Sequence, residues 1–221
     1  MGAPRRVRHF KDIHKGQTCL VIGNGPSLRK IRKDFLAKYP SFGTNRGYLY
    51  FRPTYYACIN PLVVEQFLGE IMQLEVEALF LPASLQFAGG NVHYLKSVYG
   101  EPFFSKDPTE GIFEGWTITY VCLQLAYYMG FSTVLLVGVD HRYEYTGLPN
   151  QEKIALGPDP NHFDPNYFGS GVRWNNPDLV NSERCYWLAR KVYEAGDGRR
   201  IVNLTPGSAL DVFEKGNWRK W

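Results

Sequence analysis

Six short apolar runs, each closing on a glycine or polar turn, constrain the fold of this chain more than any other feature. They occupy residues 19–22, 42–44, 55–59, 78–81, 134–139 and 201–204. Their apolar content is continuous rather than alternating, which suits strands covered on both faces. Four helical patterns lie between them, over 28–38, 61–74, 117–129 and 183–195, and Gly130 closes the third because glycine tolerates the left-handed conformation at a helix end. This alternation predicts an α/β, Rossmann-like fold: a largely parallel sheet with helices on both faces. Ligands of such sheets bind beyond the carboxyl ends of the strands, so the residues after each run are the ones to question.

A chain of 221 residues suits a single core, and no Ser/Gly-rich linker or repeat divides it, which gives one nucleotide-binding domain over 17–221. At 44% apolar and 15% aromatic residues, a disordered chain is excluded. The longest apolar run, 134–139, is far below the roughly 20 residues a bilayer span requires. Residues 1–16 form a basic leader: Arg5, Arg6, Arg8, Lys11 and Lys15 against Asp12 give it a charge of +4, equal to that of the whole chain. The remaining body is neutral, so no field for nucleic acid is expected. The leader is either solvated or in peripheral contact with anionic lipid. It lacks the apolar block of a signal peptide, and Arg6 stands where myristoylation needs Ser or Thr. Cys19, Cys58, Cys122 and Cys185 are too widely spaced for a zinc motif and read as reduced thiols. A cytoplasmic protein, with the inner membrane surface as a further possibility, is the expectation.

Residues 141–181 are rich in glycine and proline and should hold little regular structure. Loops this long are functional or disordered, and Tyr143, Tyr145, His162, Phe163, Tyr167, Phe168 and Trp174 argue for an ordered lid.

The strand ends carry the chemistry. Gly23-Asn24-Gly25-Pro26-Ser27-Leu28 follows the first run. Its glycines allow close backbone approach, Pro26 suits a first helical turn and Ser27 can cap free amides, so the turn can present N–H groups to a phosphate. It departs from both the dinucleotide fingerprint and the P-loop. Asn45 and Asn60 follow the second and third runs; with Asn24 they would converge on one crevice, where amides can read ribose hydroxyls or base edges. Asp140 ends the run 134–139 and could bind a metal, orient a ribose or cap its turn. In the lid, Asp159, His162 and Asp164 lie within six residues. A neutral imidazole oriented by a carboxylate can take a proton from an attacking hydroxyl, which makes His162 the leading catalytic candidate beside Asp140. Zinc is not indicated, and no metal ligand set is assigned. Thr205-Pro206-Gly207-Ser208 precedes a closing helix over 209–213 that Ser208 would cap.

The glycine turn, Asn45, Asn60-Pro61 and Gly138-Val139-Asp140 together resemble two related families. One is the 6-hydroxymethylpterin diphosphokinase-like family, long classified as a domain of unknown function. The other is the bacterial sialyltransferases that use CMP-sialic acid. Asn161-His162-Phe163 and the stretches 203–207 and 104–119 resemble a bacterial branch of the first, associated with surface-polysaccharide synthesis. The resemblance implies that Gly23, Asn24, Gly25, Ser27, Asn45 and Asn60 contact the nucleotide, with Tyr143 and Tyr145 on its phosphate and His162 as base; Pro26, in the same turn, is a further nucleotide-binding candidate. Thr117 and Thr119 complete the nucleotide-binding candidates; the Ser-Gly pair of the sialyltransferases is Ile118-Thr119 here.

Three functions stay open. A CMP-sugar glycosyltransferase would move a sugar from a nucleotide-sugar donor to a saccharide acceptor and requires no metal cofactor. A diphosphokinase would move diphosphate from ATP to a small alcohol such as a hydroxymethylpterin, with Mg²⁺ held by Asp140, Asp159 and Asp164. A non-catalytic nucleotide-binding module would keep the pocket alone. The sequence leaves the oligomeric state open.

Overall fold

The computed structural model of the chain describes residues 7–85, 91–196 and 198–221. Eight parallel strands form one sheet in the order β10-β9-β6-β1-β2-β3-β4-β5. They are β1 (Thr18–Ile22), β2 (Ser41–Thr44), β3 (Tyr55–Ala57), β4 (Ala78–Pro82), β5 (Val92–Leu95), β6 (Thr133–Val137), β9 (Arg200–Asn203) and β10 (Glu214–Lys215). The helices are α1 (Lys33–Leu36), α2 (Pro61–Ile71), α3 (Ile118–Tyr128) and α4 (Leu179–Glu194). The α/β, Rossmann-like expectation therefore holds.

Each central strand is apolar on both sides because each side has a cover. Cys19 and Val21 of β1 join the core under α3 and α4, while Leu20 and Ile22 join the core under α1 and α2. The strand order reverses at β1, which lies between β2 and β6 in register Ile22↔Gly43 and Ile22↔Val137. The turns after β1 and β6 are thus neighbours.

Several expectations are corrected. The helix expected over 28–38 is a 3-10 turn (Pro26–Lys30) followed by the single turn α1. α4 begins at Leu179, where the Asp178 side chain accepts from Asn181 N, inside the span read as lid. The lid also contains an antiparallel hairpin of β7 (Glu152–Ile154) and β8 (Arg173–Asn175). It is ordered, with Phe163, Tyr167 and Phe168 buried in the core on the α1/α2 face. No helix forms over 209–213; the Ser208 hydroxyl donates to Val139 O (2.7 Å) and accepts from Leu210 N (3.1 Å), and Leu210, Val212 and Phe213 fill the core ahead of β10. β5 escapes a sequence reading because His93 interrupts its apolar pattern.

Of the basic leader, residues 1–6 lie outside the described residues. From Val7 on it packs against the body: Phe10 meets Tyr55, Phe80 and His93 edge-on, and His14 bonds the Tyr55 hydroxyl at 2.7 Å. Arg8, Lys11 and Lys15 remain exposed. Among the described residues, no helix is long and apolar enough to cross a membrane.

Candidate functional site

A cleft of about 690 Å³ opens where the strand order reverses, within the size range of small-molecule sites. Gly23, Asn24 and Gly25 after β1, Thr44 at the end of β2 and Asn45 after it, Asn60 after β3 and Gly138 to Asp140 after β6 all line it. Thr117, Thr119, Tyr143 and His162 join them, whereas Pro26, Ser27 and Tyr145 stay outside its lining.

The glycine turn is built differently from the phosphate cradle that its sequence suggests. Gly23 N donates to Val137 O at 2.8 Å, and Gly25 N donates to Gly138 O at 2.9 Å. A Cβ on Gly23 would lie 2.5 Å from Gly138 O, and one on Gly25 would collide with the Asp140 carboxylate. The glycines are thus needed first for the contact between the two turns. Asp140 accepts from Ser27 N (3.2 Å) and from the Ser27 hydroxyl (2.6 Å), so it caps the 3-10 turn. Ser27, expected to cap with its own oxygen, donates instead.

The asparagines also hold the frame. The Asn24 amide donates to Thr44 O (3.1 Å) and Thr44 Oγ1 (3.0 Å), which ties the β1 turn to the end of β2. Its Oδ1 is buried and has no hydrogen-bond partner. A buried orphan acceptor costs free energy unless something donates to it. Asn45 sits at φ +47° with its Oδ1 3.4 Å from Cys58 Sγ. Asn60 caps α2 by accepting from Leu62 N (2.9 Å), and its amide faces Asn175 Oδ1 of the lid hairpin at 3.3 Å.

His162 is the most specifically held titratable group in the cleft. Its Nδ1 lies 2.8 Å from Asp159 Oδ2, and its ring stacks on Tyr167 with centroids 3.9 Å apart and planes 5° from parallel. With Nδ1–H donating to the carboxylate, Nε2 carries the lone pair and is the atom able to accept a proton. Asp159 is itself fixed by Asn161 N at 2.8 Å, and Phe163 N donates to Asn24 O at 2.9 Å, anchoring the dyad to the glycine turn. Burial, then the nearby Tyr186 and the carboxylates of Asp140 and Asp159, push the Tyr143 phenol well above its ordinary range, so it stays a proton donor. Thr117 caps α3, accepting from Thr119 N, and contacts the Tyr186 hydroxyl at 3.3 Å; burial pushes Tyr186 up to about 12.

Among the cleft residues that sequence reasoning did not single out are Trp116 and His141. Trp116 (φ +56°) and His141 (φ +53°) adopt the left-handed backbone conformation that costs a non-glycine residue about 1–2 kcal/mol. No local pattern signals either position, because the strain is imposed by turns packed from distant parts of the chain. His141 Nε2 lies 3.3 Å from Glu183 Oε2. Burial holds the His141 pKa below its ordinary value near 6.5, and the Glu183 charge opposes this. The folded state therefore favours the neutral ring, and this contribution is complete above the unfolded value and lost as pH falls through the folded one. Urea midpoints should drop between pH 7.5 and 5.5 by more in the wild type than in His141→Gln; equal drops would refute this assignment.

The carboxylates proposed for magnesium do not converge. Asp140 caps Ser27, Asp159 holds His162, and Asp164, outside the cleft lining, accepts from Asn166 N at 2.8 Å. Among the described residues, no group of three His, Cys, Asp or Glu side chains is placed to hold a metal ion.

No protein-family model and no curated protein matches the sequence, so the diphosphokinase-like resemblance gains no support from either. Solved structures do match. The MAf glycosyltransferase from Magnetospirillum magneticum AMB-1 aligns with a TM-score of 0.58 at 12% identity, over 97% of this chain and 38% of that one. This chain therefore spans well under half of the MAf length. The sialyltransferase CstII from Campylobacter jejuni in complex with cytidine-5'-monophosphate aligns with a TM-score of 0.52 at 15% identity, over 91% and 85% of the two chains. Its complex with CMP-3FNeuAc gives 0.51 at 15%, over 90% and 84%. At these identities the shared property is the fold, a Rossmann-like sheet found in glycosyltransferases.

Proposed function

We propose that the chain is a glycosyltransferase that uses a nucleotide-sugar donor, with CMP as the nucleotide. The observation that carries this reading is the presence, in one cleft at the sheet's reversal point, of the three strand-end asparagines and of His162, which Asp159 holds from outside the lining. The CstII structures with CMP and CMP-3FNeuAc, on the same fold, favour the cytidine form.

In this mechanism an acceptor hydroxyl gives its proton to His162 Nε2 as its oxygen attacks the anomeric carbon. The bond from that carbon to the phosphate oxygen breaks, and CMP leaves with the electron pair. Asp159 steadies the imidazolium that forms. Tyr143, which keeps its proton, donates to the departing phosphate.

A thermal-shift panel of CMP, CDP, UDP, GDP and ATP, with and without Mg²⁺, tests the reading. CMP at 100 times its dissociation constant should stabilise the fold by about 2.7 kcal/mol without metal. Preference for ATP with strict Mg²⁺ dependence would replace it with the diphosphokinase reading. A shift by CMP with no turnover of a CMP-sugar would leave a binding module.

A further inference from the structure

A second, shallower groove of about 540 Å³ lies along α4 beside the cleft, and His141 and Leu179 line both spaces. Its floor is one stripe of α4: Val180, Glu183, Arg184 and Trp187 stand at i, i+3, i+4 and i+7 and so share a face. The opposite face of the helix, with Cys185, Tyr186, Ala189 and Tyr193, is buried in the core. Glu183 of the stripe meets His141, but the stripe leaves two apolar side chains facing water, with Val180 67% and Trp187 44% exposed. The Arg190 guanidinium lies 5.4 Å from the Trp187 ring centre and steadies it.

We propose that this groove is the subsite for an oligosaccharide acceptor, whose terminal hydroxyl reaches the cleft past His141 while the preceding sugars lie along α4. The inference rests on the glycosyltransferase reading and sharpens it, because a small alcohol would need the cleft alone. Chemistry on the groove wall fits a sugar chain. The indole face offers an apolar platform for the C–H face of a pyranose ring. Glu183, which holds His141, keeps further acceptor sites, and Arg184, which donates to Asn181 Oδ1, keeps further donors for sugar hydroxyls. His141 and Leu179 wall both spaces, so an acceptor seated in the groove lies beside the cleft. The body's neutral charge leaves no general attraction for nucleic acid, so stacking and hydroxyl contacts are the recognition on offer.

The test is an array of immobilised oligosaccharides of two to ten sugars, probed with fluorescent full-length protein in the presence of CMP, with CMP thermal shifts recorded for every variant. Wild type should be retained on a subset of glycans. Trp187→Ala and Val180→Asp should each weaken that retention at least tenfold, Trp187→Phe should keep most of it, and the CMP shift should persist in all three. Retention unchanged in Trp187→Ala and Val180→Asp, or no glycan retained while CMP still binds, would overturn the groove assignment. Glycan retention that depends on Trp187 in a protein that CMP does not stabilise would uphold the groove and reject the nucleotide reading instead.

Discussion

Replacing His162 by alanine is expected to lower sugar transfer by roughly 10²- to 10⁴-fold, the usual contribution of a positioned general base, while CMP affinity stays near that of the wild type. The separation follows from geometry. His162 lines the cleft, and its Nδ1 is spent on Asp159. The asparagines assigned to the nucleotide come from β1, β2 and β3, not from the lid. Asp159→Asn should cost less, because the imidazole keeps its stacking on Tyr167 but loses the charge that stabilises its protonated form. His162→Gln, which fills more of the same space against Tyr167, controls for local collapse. The measurement is CMP release from a CMP-sugar with acceptor present, beside calorimetric CMP titration. Turnover of His162→Gln within threefold of wild type would remove the residue from the reaction.

The second large effect concerns the fold itself, and it falls on a glycine that no ligand needs to touch. Gly138→Ala is expected to destabilise the protein by about 2–5 kcal/mol, from left-handed strain of about 1–2 kcal/mol and overpacking of about 1–3 kcal/mol. Gly138 has φ +68°, and a Cβ there would lie 2.6 Å from Gly23 O. That carbonyl belongs to the β1 turn, which is pinned to the same strand by Gly23 N to Val137 O and Gly25 N to Gly138 O, so it has little room to retreat. Thermal unfolding should show a midpoint lowered by roughly 4–20 °C for a chain of this size. Gly69→Ala is the control: it lies in α2 with nothing within 4 Å of a new Cβ. Alanine in a helix should there be neutral or slightly stabilising. Comparable midpoints for the two variants would refute the turn-to-turn contact as a structural requirement.

Two consequences of the turn geometry bear on nucleotide recognition. The phosphate cradle suggested by Gly23-Asn24-Gly25-Pro26-Ser27 is partly filled by the protein's own anion, because Asp140 already accepts from Ser27 N and the Ser27 hydroxyl. In the proposed mechanism the donor phosphate therefore meets Tyr143 rather than the turn amides. Asn24 Oδ1 is enclosed beside Gly47, where a Cβ would lie 2.7 Å from it, and so is not offered to a ligand.

The amino-acid sequence by itself determined the sheet and its helical layers. The cause is the doubly covered strand: a stretch such as 19–22 has no polar side chain to turn towards water, so each such run commits to the interior and the intervening segments must cover it. It also placed the strand-end asparagines, and it put His162 within three residues of the carboxylate that holds it. Tertiary structure decided the rest. Whether Gly23 served a ligand or a neighbouring turn depended on β6, more than a hundred residues away, pairing beside β1. The same pairing turned Asp140 into a cap for Ser27 and drew Pro26 and Ser27 out of the cleft. Helix 28–38 shrank to two short turns, and the closing helix became a packed loop, because burial of Leu28, Phe35, Leu210 and Phe213 against the sheet outweighed local propensity. Trp116 and His141 reached the site through strained turns that leave no periodic trace. Local pattern records which side chains must leave water, whereas the partner each one meets is set by contacts between segments that the chain keeps far apart.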